Sequence, residues 1–485
     1  MALSAIMLSG CLGGGGGGGG SDGGASTPPA ETPAVRAHDS RVFQAVLPAT
    51  SPAALANAKI YTGKYEGLQG EALYTVEVPD DWDGVGIIMW THGYRGTNLE
   101  LTPAVPGGSW RQAVLDAGYA WAASSYSANF YDARAGIEDT NKLALNLVQY
   151  VEADHSERLD TPTQYLISGE SLGGHIAAAA VDRENMERTQ FKVDYAGAAP
   201  VCQSEQNQFQ WLGDYTRVMM QLSGYGDEAY SEFPNLVGTF THYPQVSLLT
   251  NAGPMVTALF NTNGGRPDWT SPKGVAGQRL IDIAKNLSGG ERPIFDNGFA
   301  SIFQDVVLST GGANGDIDGI LATSMYGNEN QVYRWTTGPE PTAEEIEFNE
   351  ELSRVAANPD ANPLRDDGVR WIPLVNGDFD VPVMTMHSLG DFYVPFRHQQ
   401  LYRERAQENG NEDLLVQRAI RTASHCDFSA GEYQALITDW LAWVNDDIKP
   451  AGDDVLDPAV VADANYGCAF TVGTRTGLPA CTSIR

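Results

Sequence analysis

Basic side chains are scarce in this chain. Thirty Lys and Arg stand against 61 Asp and Glu, which leaves a formal net charge of −31. A field of that sign repels phosphate backbones and anionic lipid headgroups, so a nucleic-acid partner is excluded. The surplus reads as a solvated acidic surface. Long apolar runs are missing as well: no stretch approaches the ~18 consecutive apolar residues of a membrane-spanning helix. Cysteine is sparse, five in 485 residues, and none shows the spacing of a zinc ligand set. Asp316-Ile317-Asp318-Gly319 begins like a calcium loop. It lacks the further spaced oxygen ligands and the closing Glu, so it reads as a turn. Neither a catalytic metal nor an organic cofactor is implied. Core-forming residues are plentiful: 42% of the chain is apolar, with 10 Trp, 20 Tyr and 16 Phe, which argues against wholesale disorder.

Residues 1–11 are an apolar run ending in Leu8-Ser9-Gly10-Cys11. They resemble a bacterial lipoprotein signal, in which Cys11 would carry the lipid. Residues 12–40 hold eight consecutive glycines, Gly13 to Gly20, then Pro28-Pro29. Such a segment cannot bury apolar surface and reads as a flexible tether, with a reach of about 25–30 Å from Cys11 to Val35. The expectation is an exported domain at the bacterial cell envelope, an outer-membrane lipoprotein or a secreted protein. It would touch the membrane only through a lipid anchor at Cys11.

Beyond residue 55, short β-rich runs alternate with helical spacing. Ala72–Val78 alternates apolar and polar residues, as a half-buried strand does. The runs 86–91 and 119–125 are continuously apolar, which suits strands buried on both faces. Tyr165–Ser168, Val193–Ala199, Pro382–His387 and Leu414–Thr422 add further strands, and 137–151 and 433–444 carry helical periodicity. The pattern predicts an α/β fold with a mostly parallel central sheet flanked by helices. Residues 205–370 break the rhythm with Gly- and Pro-rich turns. They are expected to be a lid or cap inserted at the C-terminal edge of the sheet, where ligand crevices form. The core would then comprise 41–204 and 371–448, with 449–485 as a C-terminal tail.

Gly169-Glu170-Ser171-Leu172-Gly173 matches G-x-S-x-G. In so glycine-rich a chain the motif alone says little, but it follows an apolar strand and precedes Gly174-His175-Ile176-Ala177-Ala178, a helix start. Strand, sharp turn and helix is the geometry that holds a Ser oxygen at a sheet edge, with free N–H groups beside it. The run 165–174 resembles the nucleophile elbow of the α/β-hydrolase family. Thr91-His92-Gly93-Tyr94-Arg95-Gly96 resembles that family's oxyanion loop. The resemblance spans about residues 55–204 and 370–448.

That resemblance implies Ser171 as nucleophile, the backbone N–H groups of Tyr94 and Leu172 as the oxyanion pair, and a chain order of Ser, acid, His. Of the eight histidines, His242, His387, His398 and His425 follow Ser171, and His242 falls in the insertion. His387 precedes the expected acid, and His398 follows it too closely. His425 is therefore the expected base and Asp391 the acid, with Asp378, Asp380 and Asp427 as rivals. Apart from Cys11, four cysteines allow three pairings. Cys202–Cys426, bracing the His425 loop, and Cys468–Cys481, closing a short C-terminal loop, are the expected ones. Trp211, Trp269 and Trp335 line a substrate pocket or fill a core.

The expected function is a serine hydrolase cleaving carboxylic esters through an acyl-enzyme, including bulky, aromatic or polymeric ones. A peptidase of the same fold and a non-catalytic binding lipoprotein are the alternatives.

Overall fold

The computed structural model describes residues 41–205, 208–224, 253–309, 325–354, 356–364 and 368–481. Cys11, the glycine tether and the Asp316–Gly319 turn lie outside the described residues. Eight strands form the central sheet: β1 Ala58–Glu66, β2 Glu71–Pro79, β3 Ile87–Thr91, β4 Ala120–Ser124, β5 Tyr165–Glu170, β6 Tyr195–Val201, β7 Val383–Ser388 and β8 Leu415–Ile420. Their spatial order is β8-β7-β6-β5-β3-β4-β2-β1. Strand β2 runs antiparallel to both its neighbours. The remaining pairs are parallel.

The period of two along β3 divides the core. Ile87 and Met89 point into one apolar cluster with Ile137 and Leu147 of helix α2 (Ala133–His155) and Ile176 of α3 (Leu172–Ala180). Ile88 and Trp90 point into the other, with Trp110 and Val114 of α1 (Gly108–Asp116) and Trp440 of a late helix, Ala430–Asp446. A strand apolar from Ile87 to Trp90 is thus covered on both faces, as its composition requires. An ion pair is sealed in this core. Glu77 of β2 accepts from Arg111 Nε at 2.8 Å and Nη2 at 2.6 Å, from Trp121 Nε1 at 2.8 Å and from Leu55 N at 2.6 Å.

The excursion between β6 and β7 contains, among the described residues, α4 (Gln208–Leu222), the hairpin Phe260–Asn263/Arg266–Pro272, α5 (Gly274–Leu287), α6 (Phe295–Ser309) and α7 (Ala343–Glu351). Its buried aromatics continue the apolar cluster on the α2–α3 face of the sheet. Phe260 and Trp269 lie 4.6 Å apart between ring centroids, Phe299 and Phe303 4.4 Å, and Phe303 reaches Phe392 at 5.3 Å. Phe392 is the neighbour of Asp391, so this aromatic core abuts the expected acid.

After β7 come α8 (Arg397–Glu408), β8 and α9 (Ala430–Asp446). The C-terminal residues turn back along the outer edge of β8: Asp453 N donates to Gln417 O at 2.7 Å, and Ala419 N donates to Asp453 Oδ2 at 2.8 Å. Arg421 Nη1 donates to the carbonyls of Ala464 and Tyr466, both at 2.9 Å. An edge strand that would otherwise template aggregation is covered in this way. Among the described residues no helix is long and apolar enough to cross a membrane.

Candidate active site

Ser171 stands between the end of β5 and the start of α3 with φ 59° and ψ −121°. A residue with a side chain rarely adopts such a backbone, and the strain persists only where the surroundings impose it. They do so here through glycine. A Cβ on Gly169 would meet Thr91 Oγ1 at 2.0 Å, and one on Gly173 would meet Thr91 O at 1.9 Å. The hydroxyl of Thr91 lies 2.6 Å from Gly173 O and 3.1 Å from Ser168 O. Ser171 N donates to Val201 O at 3.1 Å, and His175 N donates to Ser171 O at 2.9 Å. The turn is thus held from the ends of β3 and β6 as well as from its own helix.

The structure brings together the three side chains singled out in the sequence. Ser171 Oγ lies 2.8 Å from His425 Nε2, and His425 Nδ1 lies 2.5 Å from Asp391 Oδ2. The chain distances involved are 254 and 34 residues. Asp391 is fully buried, and its other carboxylate oxygen accepts from Val394 N at 3.1 Å. His425 keeps about a fifth of its side chain exposed. A buried carboxylate on Nδ1 fixes the tautomer and leaves the Nε2 lone pair facing the hydroxyl, the arrangement of a general base beside a nucleophile.

The Thr91–Gly96 loop crosses the elbow. A Cβ on Gly93 would stand 3.3 Å from both Glu170 O and Ser171 Cβ and 3.9 Å from Ser171 Oγ. Tyr94 is the next residue along. Leu172 opens α3, where backbone N–H groups have no partner within the helix. The loop is anchored by His92, whose ring is buried against Tyr126, 3.9 Å between centroids. Its Nδ1 lies 2.7 Å from Gly93 O and its Nε2 3.1 Å from Ser125 O. Burial, reinforced by the nearby Arg95 guanidinium, pushes its pKa down to about 3, against the pull of the two carbonyls.

The rival histidines and carboxylates stand outside the Ser171–His425–Asp391 series. His387 lies in β7, with Nε2 2.9 Å from Val394 O. His398 lies in α8, its ring 5.8 Å from that of Trp211. Asp378 pairs with Arg183, and Asp427 accepts from the Thr422 hydroxyl at 2.8 Å. Trp211 and Trp269 are buried in a core, and Trp335 packs edge-on against Phe348. Cys202 is bonded to Cys426, and Cys468 to Cys481. The first bond ties the residue after His425 to the end of β6.

Three further side chains hold the surroundings of the site. Arg292 is buried, and its Nε donates to Leu389 O at 2.7 Å, which holds the turn that carries Asp391. Tyr433 of α9 donates its hydroxyl to Glu170, the residue before Ser171. Burial pushes the Glu170 carboxyl pKa up, while this bond and His425 pull it down. His175 is locked by the Tyr131 hydroxyl at 3.0 Å on Nδ1 and by Pro373 O at 2.8 Å on Nε2. All are contacts between segments far apart in the chain, and no local pattern announces them.

Strand order, elbow and chain order of the site together define the α/β-hydrolase fold. No protein-family model matches the chain. It is 38% identical over 63 residues to an o-phthalyl amidase of Xanthobacter agilis, a match covering 13% of this chain and 14% of that protein. The chain thus spans about a seventh of the length of the curated relative it matches. Among solved structures it is similar to esterase Est22, at 21% identity and a TM-score of 0.21, over 30% of this chain and 44% of that one. It is also similar to the rice cell wall degrading esterase LipA from Xanthomonas oryzae, at 13% identity and a TM-score of 0.36, over 81% and 91% of the two chains. An acylaminoacyl peptidase matches at 11% identity and a TM-score of 0.37, over 84% of this chain and 44% of that one.

Proposed function

We propose that the chain is a serine hydrolase that cleaves carboxylic esters through an acyl-enzyme. The observation that carries this reading is the hydrogen-bonded series Ser171 Oγ, His425 Nε2, His425 Nδ1, Asp391 Oδ2, at 2.8 and 2.5 Å. In the reaction Ser171 Oγ attacks the ester carbonyl while His425 Nε2 takes its proton. The N–H groups of Leu172 and Tyr94 stabilise the oxyanion, and Asp391 stabilises the imidazolium. His425 returns the proton to the leaving alcohol, and water repeats the sequence to release the acid. Each oxyanion donor of this kind is worth about 3–4 kcal/mol of barrier.

An amide substrate is the second reading, favoured by the 63-residue match to an amidase. Export and a lipid anchor at Cys11 belong to the same proposal. They are supported by the lipobox-like Leu8-Ser9-Gly10-Cys11, the glycine tether and two disulfides, which persist in oxidising compartments. An anchored enzyme suits bulky, aromatic or polymeric esters. A fluorophosphonate probe is expected to label Ser171 and to leave Ser171→Ala unlabelled, with turnover falling about a million-fold in that variant. Absence of labelling in the intact chain would favour the binding lipoprotein. Parallel assays on p-nitrophenyl esters and aminoacyl anilides separate esterase from amidase or peptidase.

A further inference from the structure

Among the described residues, one set of three metal-ligating side chains brings its ligand atoms within 4.8 Å of one another: Cys202, His425 and Cys426. In the oxidised chain the two sulfurs are spent on each other. We infer that reduction of the Cys202–Cys426 disulfide turns the base of the active site into a Cys2His site for a thiophilic divalent cation, Zn2+ or Cd2+, and that the cation silences the enzyme.

The geometry argues for this in three ways. Cys426 Sγ already lies 3.4 Å from His425 Nε2, close to the edge of about 3.5 Å between sulfur and nitrogen in a tetrahedral zinc site. The two cysteine Cα atoms are 5.6 Å apart, near enough for side-chain rotation alone to separate the freed sulfurs to the ~3.8 Å that two zinc thiolates require. Finally, Asp391 Oδ2 holds His425 Nδ1 at 2.5 Å. A carboxylate on the far nitrogen is the support that metal-bound imidazoles use, and it leaves Nε2 as the ligand atom. Ser171 Oγ now occupies that lone pair, 2.8 Å from Nε2, and rotates aside as the cation enters. The ligands come from residues 202 and 425–426, which is why no motif spacing reveals them.

The chemistry balances with a dithiol as reductant. Its two sulfurs join in a new disulfide, the Cys202–Cys426 bond takes the two electrons and two protons, and both cysteines become thiols. The cation then displaces both thiol protons to solvent, and Nε2 contributes its lone pair. Two thiolates and one neutral imidazole cancel the charge of the cation. With that lone pair engaged, His425 cannot accept the Ser171 proton. Cys426 is half-buried and is the sulfur through which a reductant enters, whereas Cys202 is fully buried.

The full chain is reduced, freed of reductant by desalting under argon, checked by thiol count and titrated with Cd2+, following the ultraviolet thiolate-to-cadmium charge-transfer band. The band is expected in reduced protein and absent from oxidised protein. It should persist when Cys468 and Cys481 are both replaced by Ala, and disappear in Cys202→Ala. The His425→Ala variant is expected to bind Cd2+ roughly tenfold or more weakly. A Cys202–Cys426 bond that resists reduction in the folded chain overturns the proposal. So does a band that survives Cys202→Ala, or equal affinity without His425. Silencing by Zn2+ of ester hydrolysis in reduced but not oxidised chain rests on the hydrolase reading. A Cd2+ band in a chain that hydrolyses nothing would sink that reading and leave the metal site standing.

Discussion

Gly298 of α6 and Gly390, the residue before Asp391, meet backbone to backbone: a Cβ built on Gly298 would stand 2.0 Å from Gly390 O. Gly390 also packs against the His425 loop: its own Cβ would lie 2.7 Å from Ala423 Cα and 3.2 Å from Gly298 Cα. The excursion between β6 and β7, the acid turn and the base loop are therefore stacked with no side chain between them. Gly298→Ala is expected to cost about 1–3 kcal/mol of stability through overpacking, and to lower kcat by displacing Asp391. Urea melts and ester turnover check both effects, and a variant indistinguishable from the parent would show that the contact is loose.

Ser171 carries backbone strain that only glycine relieves. Ser171→Gly and Ser171→Ala should both abolish turnover, but the Gly variant should be more stable than the Ala variant by about 1–2 kcal/mol. Thermal melts of the two side by side measure the difference. Equal melting would mean that the positive φ of the elbow costs nothing.

Arg111 is the ionic partner of the buried Glu77 carboxylate. Arg111→Met leaves that carboxylate sealed without its countercharge and should destabilise the chain by about 3–5 kcal/mol, read as a shift of the urea midpoint. Glu77 and Arg111 together replaced by apolar residues should recover much of the loss.

His175 is saturated in its neutral form: Nδ1 accepts from Tyr131 and Nε2–H donates to Pro373 O. Burial, first among the causes, pushes its pKa down to about 4. The unfolded chain binds this proton near the ordinary value of 6.5, before the folded chain does. The contribution of His175 to stability is therefore complete above about pH 6.5 and is lost as pH falls from there towards about 4. Buried Asp182, pushed up to about 7, and Asp139 and Asp214, both up to about 6, take up protons on folding and pull the other way. The test is a difference: His175→Gln should shift the slope of stability against pH by up to about 1.4 kcal/mol per pH unit within that window. Parallel slopes for variant and parent would refute it.

How much of this was legible in the sequence depends on how local each feature is. The runs 86–91 and 165–168 announced buried strands because both faces of β3 and β5 are covered and most positions are apolar. Ser171 was legible because its turn needs glycine on both sides within four residues. Asp391 and His425 were legible only through the chain order that the resemblance supplied, since their spacing is set by β8 and not by any motif. Strand β1 went unread. Ala-Lys-Ile-Tyr-Thr-Gly-Lys-Tyr-Glu mixes polar and apolar residues as an edge strand with one wet face does, and Gly63 weakens the pattern further. Arg292 and Tyr433 act on the site from 97 and 263 residues away along the chain, and Gly298 meets Gly390 over a comparable distance. Pairings of that range leave no trace in a single sequence. The Trp residues at 211, 269 and 335 could have lined a pocket or filled a core, and local composition could not choose between the two.

The bond between Cys202 and Cys426 spans 224 positions and leaves Ser171 on one side of that interval and His425 near its far end. A protease that nicks the backbone anywhere within it produces two fragments that are still one covalent molecule. Ser171 and His425 then remain tethered, and electrophoresis without reductant would show a single band where reductant shows two.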